Sequence, residues 1–107
     1  MRVGDYLFER DCRTPNSESY SIIEDDQPVG RVDIHYTSTI VHGTLCVAES
    51  FTQESIRELI EVIDEELVDV AGVNREELII HVFQGRDAGV YSDHGFEQNG
   101  NGREGLR

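Results

Sequence analysis

Val29 to Val47 reads VGRVDIHYTSTIVHGTLCV, and its alternation of apolar and polar residues is that of two strands folded back on each other around a tight loop at Ser38 and Thr39. In that register Tyr36 faces Val41, Ile34 faces Gly43 and Val32 faces Leu45, so one face is apolar at nearly every step. The other face pairs Arg31 with Cys46, Asp33 with Thr44 and His35 with His42. A slip of one residue would scramble both sets at once, which makes this register self-consistent.

Working outward, Tyr20 to Glu24 is a β-prone run, and Asp25, Asp26, Gln27 and Pro28 form a polar turn that leads into Val29 to Tyr36. Asp5 to Cys12 reads as a first strand, and Arg13 to Ser19 (RTPNSES) as turn chemistry. Downstream, Phe51 to Ala71 predicts an amphipathic helix with Ile56, Leu59, Ile60, Ile63, Leu67, Val70 and Ala71 on one stripe. Thr52 is the expected N-cap, Glu54 sits in the positive first turn, and Gly72 is the expected left-handed stop. The opposite face, Glu54, Glu58, Glu61, Asp64, Glu65, Glu66 and Asp69 against a single Arg57, reads as a solvated surface, with docking of a basic partner protein or weak binding of hard cations as the alternative.

Glu77 to Phe83 (ELIIHVF) is a strand apolar on both faces apart from His81, expected inside the sheet or against a second subunit. With the preceding strand and helix it makes a β, α, β unit, whose strands are normally parallel with a right-handed crossover. The expected fold class is therefore α+β: a mainly antiparallel sheet of about five strands in the order ββββαβ, with one amphipathic helix packed on one face. Residues 1–85 form the expected single domain, and 86–107, which is glycine-rich and aperiodic, the expected irregular tail.

Charge narrows the classes of partner. With 22 acidic against 9 basic residues, all nine of them Arg, the formal net charge of −13 repels phosphate backbones and anionic bilayers, so neither nucleic acid nor membrane is expected as a partner. A GC-rich genome accounts for Arg without Lys, and a salt-adapted cytoplasm for the acid excess; the two readings are compatible. Met1 to Asp11 contains no apolar stretch of signal-peptide length, so the expected location is the cytoplasm. In that reducing compartment Cys12 and Cys46 are expected to be free thiols.

The candidate chemistry sits on the polar side of the hairpin. Cross-strand neighbours stand about 4.5 to 5.5 Å apart at Cβ, close enough for His35 and His42 to share a metal ion, with Asp33 two residues back and His81 as a further donor. Two His and a carboxylate suit iron; three His suit zinc with an open position. The same residues are also ordinary occupants of a wet sheet face, and on that reading there is no cofactor. Cys46 shares the face with the histidines, but a thiol inside a strand among acids has nothing there to activate it as a nucleophile. No Gly-x-Ser-x-Gly elbow, phosphate-binding loop or dinucleotide fingerprint is present in the part expected to fold, and Gly100, Gly102 and Gly105 in the tail have no expected strand before them or helix after.

The run of a hairpin containing Pro28 to Gly30, a further strand and an amphipathic helix resembles the middle of an acetyl-CoA-dependent N-acetyltransferase in topology alone. That family cradles a pyrophosphate on a glycine-rich turn, whereas the turn here reads Glu49, Ser50, Phe51, Thr52, Gln53 and Glu54, whose two carboxylates repel a diphosphate. The likeness therefore carries no functional residue over. The functional expectation is a non-enzymatic protein that self-associates, as a homodimer, or binds a partner or ligand on the open sheet face. The alternative is a metal-dependent enzyme using His35, His42, Asp33 and His81.

Overall fold

The structure is a computed structural model that describes residues 5–72 and 75–94; most of the expected glycine-rich tail lies outside the described residues. Five strands, β1 (Tyr6–Thr14), β2 (Ser17–Glu24), β3 (Gln27–Tyr36), β4 (Ile40–Ala48) and β5 (Glu77–Gly85), form one sheet in sequential order. The first four are antiparallel neighbours, and β5 lies parallel to β4 after the helical crossover. This is the expected α+β fold in the order ββββαβ.

The central hairpin has the register expected from its alternation, pair for pair from Arg31 and Cys46 to Tyr36 and Val41. Thr37 donates its backbone N–H to the carbonyl of Ile40 at 3.0 Å, closing the loop over Ser38 and Thr39. The preceding turn is tighter than expected. Asp25 and Asp26 have φ of 53° and 64°, both left-handed as a two-residue hairpin turn of the favoured twist requires. Gln27 and Pro28 therefore join β3, where Pro28 stands at a register shift that spares the ladder its missing N–H. The first hairpin also turns in two residues: Pro15 and Asn16 alone connect β1 to β2, and Thr14 and Ser17 hydroxyls bond at 2.7 Å across the turn. Ser17, Glu18 and Ser19 thus belong to a strand and not to a loop.

Thr52 caps the helix as expected, accepting from the Ser55 backbone N–H at 3.0 Å while Ser55 Oγ accepts from the Thr52 N–H at 2.8 Å. The helix is not uniform, however. α1 (Gln53–Ile63) passes into a π turn (Asp64–Val68) and a 3-10 turn (Asp69–Ala71) before Gly72 ends it at φ 70°. A π turn carries one residue more than an α turn, and the stripe rotates accordingly. Leu59, Val62, Ile63, Leu67 and Val68 are buried, while Val70 is 74% exposed and Ala71 is exposed as well, contrary to the regular 3.6-residue extrapolation. Arg75, on the approach to β5, reaches Asp64 at 2.8 Å, so this carboxylate is tied to the fold rather than part of the free acidic face.

The helix covers one face of the sheet. Tyr20, Ile22, Val32, Ile34, Val41, Leu45 and Val47 from the strands meet Leu59, Ile63, Leu67 and Val68 in a single core. Tyr6 stacks on Phe51 at 6.5 Å and Phe8 meets Tyr20 edge-on at 6.4 Å, closing the β1 side. On the β5 side the Gln84 amide donates to the carbonyl of Phe51 at 2.7 Å and of Ala48 at 3.3 Å, fastening the loop that enters the helix. β5 itself is an edge strand and not an interior one. The crossover returns the chain beside β4, whose outer side is the free position, and no strand pairs beyond it among the described residues.

Tyr20 donates its hydroxyl proton to Glu18, and burial, reinforced by that bond and the carboxylate charge, pushes its pKa up from 10.0 to about 12. Both folded and unfolded chains hold this proton below about pH 10; above it the unfolded chain ionises first, so stability is lost as pH climbs between the two values. Denaturant unfolding repeated above pH 10 is expected to show a steepening loss of stability, and Tyr20→Phe a shallower one.

Candidate functional site

Among the described residues no helix covers the second face of the sheet, and the parallel pairing of β4 with β5 determines what lies on it. His42 pairs with Ile79, Thr44 with His81 and Cys46 with Phe83. With the central register this gives three rows across β3, β4 and β5: His35, His42, Ile79; Asp33, Thr44, His81; Arg31, Cys46, Phe83. The first two hairpins extend the rows, so that Ser19 and Cys12 continue the Asp33 row and Ser21 and Glu9 the Arg31 row.

The expected site residues therefore share one face but are not equally close. His35 and His42 are direct cross-strand partners, and both side chains are exposed. Asp33 lies in the next row, its carboxylate drawn to the Arg31 guanidinium at 3.3 Å, and Arg31 also reaches Asp11 at 3.8 Å. His81 stands in the Asp33 row with Thr44 between them. Among the described residues no three His, Cys, Asp or Glu side chains converge on a point that could hold a metal ion. Cys12 and Cys46 are both free thiols.

Asp11 is a residue whose role the alternation does not disclose. It sits at a bulge in β1 that turns it onto the uncovered face, where it accepts from Ser21 Oγ at 2.6 Å. Asp11, Arg31 and Asp33 form a polar cluster over the middle of this face, and the apolar residues lie at its margins. Leu7 pairs with Ile23 on the β1 side, and Ile40, Ile79 and Phe83 gather on the β5 side.

A separate cleft of about 580 Å³ opens where the sheet outruns the helix, lined by Arg13, Asn16, Glu18, Tyr36 and Ala71 among others. Tyr36 Oη is buried there without a hydrogen-bond partner among the described residues, and burial, then the Glu18 charge, raises its pKa. Arg10 and Arg13 neutralise Glu18 at 4.0 and 3.6 Å. Sequence reading misses this corner because Arg13 to Ser19 has the composition of a turn.

Among the described residues no helix is long and apolar enough to cross a membrane. No family model matches the chain, and no curated protein or solved structure was found to be similar to it.

Proposed function

We propose that the protein is a self-associating domain that binds a second copy of itself through the β5 side of its sheet. The observation that carries this reading is the inequality of the two sheet edges. β1 bears Glu9, Arg10, Asp11 and Arg13 and is interrupted by a bulge, the devices with which natural sheets discourage further pairing. β5 has neither device. Between Glu77 and Gln84 its one polar side chain is His81, Phe83 is 58% and Val82 37% exposed, and Ile79 and Ile80 are only partly covered. Apolar surface left in water forfeits roughly 25 cal/mol per Å², and a two-fold copy is the commonest cover for such a strand. Native mass spectrometry of the purified protein at micromolar concentration is expected to give the dimer mass; a monomer at every concentration would overturn the reading.

The cross-strand pairing of His35 with His42 favours a second reading, a metal-dependent enzyme with zinc or iron held by His35, His42, Asp33 and His81. Asp33 would then have to exchange Arg31 for the metal. Spectra recorded after adding zinc or ferrous iron test it: one metal per chain, lost in His42→Ala with circular dichroism unchanged, supports the enzyme reading, and a metal-free mass rejects it.

A further inference from the structure

We infer that the two copies join edge to edge, β5 against β5, antiparallel about a two-fold axis at His81, so that two five-stranded sheets become one of ten strands with both helices on the same face. This rests on the self-association proposed above and specifies its geometry.

Symmetry sets the first constraint. Identical edges related by a two-fold axis within one sheet meet antiparallel, and directly opposed residues point to the same face. An axis between two residues would set a helix-face position against an uncovered-face position, so the axis passes through a residue. The side chains choose which one. With His81 on the axis, Ile79 faces Phe83 on the uncovered side and Ile80 faces Val82 on the helix side, so that apolar meets apolar on both. Moving the axis to Ile80 sets His81 against Ile79 and Glu77 against Phe83, and moving it to Val82 sets His81 against Phe83, so either shift puts an imidazole opposite an apolar side chain directly beside the axis.

Two further observations exclude the competing arrangements. Stacking the uncovered faces on each other would bury two Asp11, Arg31 and Asp33 clusters, and charges taken out of water without new partners are costly. Head-to-tail pairing of β5 with β1 would propagate without closing, and the charged, bulged β1 opposes it. The edge dimer is closed. One nine-residue strand per copy makes a small interface, so the dimer is expected to dissociate on dilution.

The test is disulfide trapping in a Cys12→Ser, Cys46→Ala background. Opposed Cβ atoms at the axis stand about 4.5 to 5.5 Å apart, near disulfide range, whereas position 42, one strand inward and two residues along on each side, is separated from its copy by about 20 Å. His81→Cys is expected to form a covalent dimer on mild oxidation, and His42→Cys to stay reducible monomer on a denaturing gel. Val82→Lys is expected to raise the dimer dissociation constant by about tenfold or more, because lysine on an edge strand opposes pairing. A dimer that traps at position 42 and not at 81, and is indifferent to Val82→Lys, would overturn the edge geometry while leaving self-association standing. A chain that is monomeric throughout would overturn both.

Discussion

Gly30→Ala is expected to lower the unfolding free energy by about 3 kcal/mol or more, an unusually large effect for adding one methyl group. A Cβ at this position would collide with the carbonyl oxygen of Cys46 and lie 3.3 Å from the Val47 Cα. Those atoms are backbone in the neighbouring strand, so no rotamer change relieves the contact. Gly30 pairs with Ile22 and with Val47 beside the irregularity where Pro28 enters β3, and the strands draw together there. Urea unfolding measures the loss, and Gly85→Ala is the control. No heavy atom lies within 4 Å of a Cβ at Gly85, and that variant is expected within about 0.5 kcal/mol of the parent. Equal stabilities for the two variants would show that β3 and β4 are not so closely approached.

Leu59→Ala should cost about 3 kcal/mol, a large share of the 5 to 15 kcal/mol typical of a domain. Leu59 is fully buried at the centre of the helix face, within the core that Ile22, Val32 and Leu45 build from the sheet. Truncation leaves a void that residues on all sides frame. Val70→Ala completes the measurement, because a regular helix puts Val70 on the buried stripe and the observed helix puts it in water. Thermal or urea unfolding is expected to register that change as within about 0.5 kcal/mol. A Val70→Ala loss comparable to Leu59→Ala would mean that the helix end is regular after all.

The two helix positions also mark the limit of what periodicity conveys. Through Ile63 the expected stripe and the observed burial agree at Leu59 and Ile63, with Ile56 and Ile60 half-buried and Val62, off that stripe, buried beside them. At Asp64 the repeat changes, and nothing in DEELV distinguishes a π turn from an α turn; burial of Val68 against the sheet decides it. The central hairpin was legible because its two faces differ so sharply that one register alone satisfies both. Its neighbours were legible as strands but not in extent. Ser17 to Ser19 have turn composition and are held in β2 by pairing on both sides, with Cys12 to Thr14 in β1 and with Asp33 to His35 in β3.

The candidate site was legible to the same degree as the register that builds it. The rows joining His35 to His42 and Asp33 to Thr44 follow from alternation, and the crossover then brings His81 alongside. The engagement of Asp33 by Arg31 and the arrival of Asp11 were not, because the first depends on rotamers and the second on a bulge. The contrast between the two edges is likewise invisible until strand order is known, since ELIIHVF in an interior strand would be unremarkable burial.

The irregular helix end has a meaning in terms of chain length. Buried positions 59, 62, 63, 67 and 68 become 59, 62, 63, 66 and 67 if one exposed residue, Glu65, is removed, and that series is the spacing of an ordinary α-helix. The segment from Asp64 to Val68 therefore behaves as a one-residue insertion absorbed where the chain could bulge toward solvent, without displacing Leu67 or Val68 from the sheet. A helix built this way tolerates a change in length at Glu65 that its first two turns, buried in strict phase, do not.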